Sequence, residues 1–468
     1  MKTQKETIES LEPVANDTRI NAAEPDYPAP GYAWYMVGVL TIIYIFSFID
    51  RQILSLLVEP ITKDLQISKT QLSLLMGFAF VFFYTLFGIP LGRLADIKSR
   101  RTIIAIGCAF WSVMTALCGI AQNYMQMFLY RLGVGVGEAS LSPAAFSLIS
   151  DSFRKERLAT AISVYSMGIY LGAGMAYLLG GVVVGLVSSQ EMYQLPLVGA
   201  TRPWQVIFFI VGLPGILLAL LMYTIQEPVR RGLLAQPQVA ETNNVSIAKF
   251  IKYISENRLT FICHSLGFGL IALSTNAGGQ WYPTYLRVSH GWSTAKVGIV
   301  LGIILSLAGT AGIVAGGRLS DWLAERGYQD APMRVGLFAV LLMIPTGVAF
   351  SLAPNGNWAT WLYIPTAFFA SAPFGVAPAA IQQIVPNEMR GQASAIYIFF
   401  VNVIGLGIGP TAVAVLNDYV FQNDQSIRYS LIIVGGIAQS LAALSLWLGM
   451  KPFAKSLIRL KSGYPVNP

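Results

Sequence analysis

The sequence predicts an all-α polytopic membrane protein, with twelve transmembrane helices in two pseudo-symmetric six-helix bundles. Three observations support this prediction. The 468 residues are 54% hydrophobic and only 12% charged, with a mean hydropathy of +0.59, whereas soluble proteins average about 25% charged residues. Apolar segments of roughly 20 residues, enough to cross a bilayer, recur along the chain. Short motifs of the first half return at corresponding positions of the second half.

Residues 1–33 are polar and acidic and lack the basic start and apolar core of a signal peptide, which predicts a disordered cytoplasmic tail. The spans then follow in two sets of six, an N-terminal bundle over 34–226 and a C-terminal bundle over 260–450. We place them at 34–58, 71–95, 101–121, 124–149, 158–187, 204–226, 260–286, 297–320, 333–353, 358–384, 391–416 and 429–450. A polar cytoplasmic linker at 227–259 separates the bundles, and residues 451–468 form a C-terminal tail.

The linker contains one segment with helical periodicity. Val245, Ile247, Phe250, Ile251 and Ile254 recur at nearly helical spacing among charged residues. This pattern predicts an amphipathic helix lying on the inner leaflet. The alternative is a linker whose periodicity is incidental.

Basic residues are concentrated in the loops on the same side as both termini, around 93–101, 154–157 and 230–231. The opposite loops hold only Lys63, Lys69, Arg202, Arg287, Lys296 and Arg428. The positive-inside rule then places both termini in the cytoplasm, and we expect an integral protein of the cell (inner) membrane. The net charge of +8 therefore indicates membrane orientation and no nucleic-acid partner, which would need basic residues gathered on one face.

An internal repeat relates the two halves. Gly92-Arg93-Leu94-Ala95-Asp96 follows the second span, and Gly317-Arg318-Leu319-Ser320-Asp321 follows the eighth. Likewise, Pro143-Ala144-Ala145 leads to Arg157 at the fifth span, and Pro378-Ala379-Ala380 leads to Arg390 at the eleventh. A six-plus-six repeat with both halves in the same orientation is typical of secondary transporters, whose substrate site lies at the midplane between the halves.

The segment 92–101 resembles the signature loop of the major facilitator superfamily, although Ile97 and Ser99 replace the basic residue and glycine usual there. The resemblance extends from Trp34 to Met450, and it implies the major facilitator fold and transport activity without catalysis. Within the superfamily, Phe48-Ile49-Asp50-Arg51 and the segment 131–139 look like the Spinster branch. Members of that branch are associated with sphingosine phosphate, lysophospholipids and related amphiphiles, which implies a lipid-like substrate.

Four ionisable side chains lie deep inside predicted spans: Asp50 and Arg51 in the first, Arg131 and Glu138 in the fourth. Each costs about 2.5–3.5 kcal/mol at a helix centre, so each should face a cavity and have a partner. Asp50 and Arg131 lie at depths that agree to about 1.5 Å, given the helical rise. This predicts an Asp50–Arg131 pair, with Glu138 about 10 Å deeper on the same face as Arg131. Arg51 is then free to attract an anionic substrate head group.

The proton affinity of a buried carboxyl group changes when its cavity opens toward one side of the membrane. Asp50, Glu138 and Arg131 are therefore the predicted proton-coupling residues. The alternative is a buried ion pair that only fixes the packing of the first and fourth spans. Further residues are predicted to line the cavity: Tyr44, Phe48, Phe80, Tyr84, Tyr170, Asn276, Gln280, Tyr397 and Asn402. Charges on one wall and neutral groups on the other suit an amphiphile better than a sugar.

The repeated loop motif predicts a cytoplasmic gate. Asp96 should face the N-terminus of the eleventh span near Arg390, because a carboxylate at a helix N-terminus gains about 0.3–1 kcal/mol. Asp321 should do the same at the fifth span near Arg157. Together the predicted gate residues are Gly92, Arg93, Asp96, Arg100, Arg101, Arg157, Asp321 and Arg390. A contact formed only when the cytoplasmic side is closed would hold the outward-open state.

The leading hypothesis is a monomeric, proton-coupled transporter of a lipid-like or amphiphilic substrate that works by alternating access in contact with membrane lipids. A second hypothesis is a multidrug or organic-anion exporter of the same superfamily. A third, from another class, is a membrane-embedded lipid-modifying enzyme, although the sequence holds none of the familiar nucleotide, metalloprotease or nucleophile-elbow motifs. We expect no cofactor and no metal, since His264 and His290 are isolated.

Overall fold

The computed structural model describes residues 27–153, 155–187, 190–196, 198–230, 247–386 and 389–462. Within them, twelve helical segments are long and apolar enough to cross a membrane, which confirms the predicted number of spans. In chain order, spans 1 to 12 are Pro30–Leu56, Lys69–Gly88, Arg100–Cys118, Tyr124–Ser152, Val164–Val187, Pro203–Thr224, Arg258–His290, Thr294–Glu325, Ala331–Ser351, Gly356–Gln383, Gln392–Phe421 and Asp424–Leu460.

Several spans consist of more than one helix. The helices are α1 Pro30–Leu56, α2 Val58–Leu65, α3 Lys69–Met76, α4 Phe78–Ile97, α5 Arg100–Cys118, α6 Tyr124–Glu138, α7 Leu141–Ser152, α8 Lys155–Val187, α9 Pro203–Gly212, α10 Pro214–Leu221, α11 Ile247–Glu256, α12 Arg258–His290, α13 Thr294–Ile304, α14 Thr310–Glu325, α15 Ala331–Ser351, α16 Gly356–Gln383, α17 Arg390–Asn402, α18 Gly409–Val415 and α19 Ile427–Lys461. π-Helical turns at Leu305–Gly309, Val403–Ile408 and Leu416–Phe421 interrupt spans 8 and 11. Short 3₁₀ turns lie at Met222–Thr224 and Asp424–Ser426.

The described ends of the first and last spans lie beside the described ends of the linker, as the contacts of Tyr32 with Thr224 and of Ser456 with Asn257 show. We call this end of the bundle the terminal end and the opposite end the distal end. The buried apolar residues divide along this axis. One cluster joins both halves near the distal end and includes Ile53, Tyr177, Trp281 and Val297. Two further clusters lie toward the terminal end, and the buried members of each belong to a single half. The halves therefore share one apolar core only where they meet at the distal end.

Two glycines allow the backbones of the halves to approach closely. A Cβ at Gly298 in span 8 would lie 2.3 Å from the carbonyl oxygen of Tyr177 in span 5. A Cβ at Gly77, between α3 and α4, would lie 2.1 Å from the carbonyl oxygen of Leu406 in span 11. Any side chain at these positions would push the halves apart.

Two distal elements were not predicted from the sequence. The helix α2 follows span 1, and an antiparallel hairpin of β1 (Tyr193–Leu195) and β2 (Gly199–Thr201) precedes span 6. Asp64 of α2 accepts a hydrogen bond from Trp204 Nε1 and pairs with Arg202 at 2.9 Å. These contacts fix α2 to the entrance of span 6.

The helix predicted in the linker is present as α11, but its environment differs from the prediction. Phe250 and Tyr253 are buried, and the Tyr253 hydroxyl donates to the Ile384 carbonyl at 2.6 Å. Ile251 on the other side is 59% exposed. The apolar face therefore packs on the C-terminal bundle, because the loop after span 10 offers it a protein surface; Val245 lies outside the described residues.

Candidate functional site

Spans 1 and 4 bring the four intramembrane charges into one buried group. Asp50, Arg131 and Glu138 are 3%, 0% and 1% exposed. Arg51 is partly exposed, with 16% of its side chain accessible. At these positions each charge must be balanced by a partner or neutralised, because an isolated charge in a low-dielectric interior is costly.

Arg51 pairs with Glu138, whereas the sequence analysis predicted a free Arg51. Its Nε donates to Glu138 Oε2 at 2.6 Å, and its Nη2 lies 2.5 Å from the same oxygen. The prediction was wrong because it compared backbone depths only. The long arginine side chain spans the difference in level between residues 51 and 138.

Arg131 contacts the backbone of span 1 and not the Asp50 carboxylate. Its Nη1 donates to the carbonyl oxygen of Asp50 at 3.0 Å, and its Nε lies 3.5 Å from the Leu75 carbonyl oxygen. The predicted ion pair between Asp50 and Arg131 is therefore wrong, although the two residues are in contact through the Asp50 backbone. The depth argument could not predict that the guanidinium would meet the backbone, while the carboxylate points elsewhere.

Three polar atoms of this group have no hydrogen-bond partner among the described residues: Asp50 Oδ1, Arg131 Nη2 and Glu138 Oε1. Buried polar atoms have a hydrogen-bond partner in the great majority of cases, so each exception calls for an explanation. This group therefore keeps capacity to accept or donate further hydrogen bonds.

Aromatic rings surround the Arg51 guanidinium. Its Cζ lies 4.9 Å from the Phe48 ring centroid, 4.6 Å from that of Phe80 and 5.2 Å from that of Tyr84. Tyr44 packs beside Phe48, with centroids 5.3 Å apart, and stacks on Tyr165 at 4.8 Å. Three predicted lining residues, Phe48, Phe80 and Tyr84, thus form an aromatic wall around one cation, an arrangement that attracts the cation electrostatically.

The remaining predicted lining residues are dispersed. Tyr170 of span 5 reaches the second half, with its ring 6.4 Å from Phe374. Tyr397 packs at 5.1 Å from His264, whose Nε2 bonds the Ala377 carbonyl oxygen at 3.0 Å. Asn276 Nδ2 donates to the Ala272 carbonyl oxygen within its own helix at 2.8 Å. Asn402 is partly exposed. The second-half wall is therefore neutral and largely satisfied by its own helices.

The sequence analysis missed the polar contacts between the halves. Gln52 Nε2 donates to the Gly279 carbonyl oxygen at 2.9 Å and to the Tyr177 hydroxyl at 2.7 Å, and Gln280 Nε2 lies 3.4 Å from Gln52 Oε1. Nearer the distal surface, Asp418 accepts from the Thr70 backbone N–H at 2.7 Å and from its hydroxyl at 2.8 Å. The available signal was Gln52 itself, a polar residue beside Arg51 within an apolar span. The pairing across the halves had no sequence signal.

Several of the described contacts between the halves form what we call the distal seam: Gln52, Thr70, Ser73, Gly77 and Tyr177 of the first half with Gly279, Gln280, Leu406, Thr411 and Asp418 of the second. Nearby, Lys69 pairs with Asp424, and Arg287 pairs with Glu59. These contacts hold the distal side closed.

At the terminal end, part of the predicted gate is a structural clamp within the first half. Arg100 is fully buried and pairs with Asp151, while its Nε donates to Glu227 at 2.8 Å. Glu227 also accepts from Ser99 Oγ at 2.9 Å and from the Arg101 N–H at 3.0 Å. Partial burial acts to raise the pKa of Glu227, but the hydrogen bonds from Arg100, Arg101 and Ser99 outweigh it and lower the pKa.

Other predicted gate residues are dispersed over this surface. Arg101 donates to the Ile225 carbonyl oxygen at 3.0 Å, and a Cβ at Gly92 would be in ordinary contact with Pro143. Arg93, Arg157 and Asp321 are exposed, and no ion pair joins Arg157 to Asp321 in the described structure. The side chains of Asp96 and Arg390 lie outside the described residues, so their predicted contact stays a prediction.

Comparison with known proteins places this geometry in context. A family model described as Major Facilitator Superfamily matches residues 40–410. An "MFS-type efflux pump" of Mycolicibacterium smegmatis is 29% identical over 448 residues, which cover 95% of this chain and 99% of that protein. "Protein spinster" of Drosophila melanogaster is 25% identical, over 83% of this chain and 63% of its own. A "Probable L-galactonate transporter" of Escherichia coli is also 25% identical, over 87% of each chain.

Among solved structures, a bacterial homologue of the human lysosomal transporter Spinster, in an inward-facing and unoccupied conformation, has a TM-score of 0.74 to this chain. The two are 24% identical, and the match covers 94% of this chain and 100% of the other. At this identity the likeness shows the fold, two six-helix bundles as the repeat predicted.

Proposed function

Because the chain belongs to the major facilitator superfamily, we propose that it is a proton-coupled secondary transporter that moves a lipid-like amphiphile by alternating access. It is an integral multi-pass membrane protein of a transporter family, and its sequence resembles the Spinster branch. The family gives no support to the alternative of a lipid-modifying enzyme. The substrate, the coupling ion and the location of the protein are parts of our proposal. We propose that the protein lies in the inner cell membrane with both termini in the cytoplasm.

The observation that supports proton coupling most strongly is the buried Arg51–Glu138 pair. Protonation of Glu138 would remove one of its two charges and leave Arg51 free to bind an anion. Substrate head group and ionised Glu138 would then compete for one guanidinium. A proton on Glu138 and a substrate anion on Arg51 would each weaken the Arg51–Glu138 ion pair. The binding of one would therefore favour the binding of the other.

The aromatic wall supports an amphiphilic substrate. Phe48, Phe80 and Tyr84 pack around the Arg51 guanidinium, which keeps 16% of its side chain accessible. An anionic head group at Arg51 would therefore have its apolar portion against aromatic rings and the neutral wall of the second half. A sugar would need several polar side chains around it, whereas His264 and Asn276 of that wall already bond backbone carbonyl oxygens of the second half.

A second candidate is export of an organic anion or a drug. It is favoured by the M. smegmatis relative, named an efflux pump, and by the E. coli relative, named for a sugar acid. The same Arg51 would bind the carboxylate of such a substrate. The two candidates differ in what the aromatic wall would contact: the apolar chain of a lipid-like amphiphile in the first, and the body of an organic anion or a drug in the second.

The deciding experiment is transport in proteoliposomes with imposed pH and Na⁺ gradients, against lysophospholipids, sphingoid phosphates, sugar acids and cationic drugs. We expect gradient-driven movement of the phosphorylated amphiphiles and loss of the pH-gradient dependence in Glu138→Gln. Asp64→Asn is the matched control, since it breaks an ion pair outside the spans. Transport of sugar acids alone would favour the second candidate, and unchanged pH dependence in Glu138→Gln would refute proton coupling at this site.

We further propose that Asp96 holds the terminal end closed in the outward-open state by facing the N-terminus of span 11. Asp96→Asn should shift the protein toward inward-open and reduce transport without unfolding it. Distances between spin labels across the terminal end measure this population. An unchanged distribution would refute the latch.

The orientation has a separate test. Single cysteines at Asn123 and Asn355, both exposed at the distal end, should react with an impermeant reagent applied outside cells. A cysteine at Ser99 should not. The reverse pattern would contradict cytoplasmic termini.

A further inference from the structure

Three consecutive residues of span 1 contact three different partners. The Asp50 carbonyl oxygen accepts from Arg131, the Arg51 side chain pairs with Glu138, and the Gln52 side chain donates to span 7. Consecutive residues of an α-helix point about 100° apart. One turn of helix therefore joins the buried charges to the opposite half of the protein.

The acceptor on span 7 exists because of a proline. In an α-helix the carbonyl of residue 279 would accept from the N–H of residue 283, but Pro283 lies inside this helix and has no N–H. The Gly279 carbonyl oxygen instead accepts from Gln52 at 2.9 Å and from the Tyr177 hydroxyl. Gln52 and Tyr177 of the first half thus occupy the position of the missing helical donor.

Gln52 is the member of the distal seam nearest the charged pair, one residue from Arg51. The other described polar contacts of the seam, such as Thr70 with Asp418, lie nearer the distal ends of the spans. Thr70 belongs to span 2, whereas Gln52 is separated from Arg51, the partner of Glu138, by a single peptide unit. This places Gln52 between the charge and the contact that closes the distal side.

We propose that Gln52 is the positioning residue that couples the charge state of Glu138 to distal opening, with the Gly279 carbonyl freed by Pro283 as its counterpart. The proposal rests on proton coupling at Glu138. When Glu138 is neutral, Arg51 is released and the turn at residues 50–52 reorients. Gln52 then leaves Gly279, and the seam opens. When Glu138 is ionised, the pair holds Gln52 against Gly279 and the seam closes.

The test is the ratio of distal-open to distal-closed molecules, measured by pulsed electron–electron distances between spin labels at Lys63 and Gln425. Both positions are exposed, and the three native cysteines are buried. The ratio is measured with Glu138 and with Glu138→Gln, in the wild-type, Gln52→Ala and Pro283→Ala backgrounds. Pro283→Ala tests the same contact without altering Gln52, because it returns a helical N–H to the Gly279 carbonyl.

We expect Gln52→Ala to raise the open-to-closed ratio about tenfold, as expected for the loss of one to two hydrogen bonds. Pro283→Ala should raise it in the same direction. In both backgrounds the effect of Glu138→Gln should shrink to less than about twofold. Gln439→Ala is the matched control: it removes a buried amide that bonds Ser274 within one half at 2.7 Å and should leave the Glu138→Gln effect intact.

Two failures are distinguishable. If Glu138→Gln changes the ratio equally in the wild-type and Gln52→Ala backgrounds, Gln52 does not couple the two and the inference is wrong. If Glu138→Gln leaves the ratio and the pH dependence of transport unchanged in the wild-type background, proton coupling at Glu138 is wrong. An unchanged ratio in both Gln52→Ala and Pro283→Ala would overturn the role of the Gly279 contact by itself.

Discussion

The two halves bury different chemistry in the same six-helix plan. The first half encloses Arg51, Arg131 and Glu138 between spans 1 and 4. The second half encloses neutral groups that pair with neutral partners, such as Gln439 with Ser274 and His264 with the Ala377 carbonyl. Neutral hydrogen bonds contribute about 0.5–1.5 kcal/mol each, whereas removing one partner of a buried ion pair costs about 3–5 kcal/mol. The first half is therefore the half in which the proposed protonation would change the energy of a conformation.

The largest expected difference between the halves is in stability. Arg51→Ala should lower the free energy of unfolding by about 3–5 kcal/mol, because it leaves the buried Glu138 carboxylate without its partner. Gln439→Ala should cost about 1–3 kcal/mol, through one unpaired hydroxyl. Thermal unfolding of the purified protein in detergent measures both. An equal loss of unfolding free energy in the two variants would show that the charged group contributes no more to stability than a neutral hydrogen bond.

The contact between the halves gives the next effect. An alanine at Gly77 would place its Cβ 2.1 Å from the Leu406 carbonyl oxygen of the other half, and overpacking of this kind costs about 1–3 kcal/mol. Gly77→Ala should thus favour the distal-open state by roughly five- to 150-fold. The spin-label pair at Lys63 and Gln425 reports this ratio. Gly88→Ala, in the same span with no atom near its Cβ, is the control, and an equal shift in the control would contradict the seam as the cause.

Titration distinguishes the halves more finely. We expect Glu138→Gln to abolish the response of transport to an imposed pH gradient, since it fixes the side chain in an uncharged form. His264→Gln, which alters a buried titratable group of the second half, should retain that response. Proteoliposome uptake at fixed membrane potential measures both variants. Loss of the response in His264→Gln alone would assign the proton to the second half.

The smallest effect concerns the clamp at the terminal end of the first half. Because the folded pKa of Glu227 is lowered, its stabilisation is present above the ordinary carboxyl pKa of about 4.3 and is lost as pH falls through the lowered value. Glu227→Gln should remove this pH dependence and about 1 kcal/mol of stability near pH 7. Unfolding measured from pH 7 to pH 3 checks it. A wild-type profile that matches the variant would refute the contribution of this carboxylate.

The span count, the repeat and the presence of a linker helix could all be predicted from the sequence. Each depends on local hydrophobicity or on motif spacing, which the chain carries directly. Three of the predicted lining residues, Phe48, Phe80 and Tyr84, do meet around Arg51, and Tyr44 packs beside Phe48. The pairing within the charged group was wrong, because rise per residue gives the level of a Cα and not the reach or direction of an arginine.

The sequence by itself determined which half carries the charges and at what depth, since insertion into a bilayer restricts charged residues to positions where a protein partner exists. Only the tertiary structure decided which partner each charge has and how the halves meet. The contact between Gln52 and Gly279 shows why. The sequence shows from Pro283 that the Gly279 carbonyl of span 7 lacks its helical N–H donor. Only the packing of span 1 against span 7 brings the Gln52 side chain to that carbonyl.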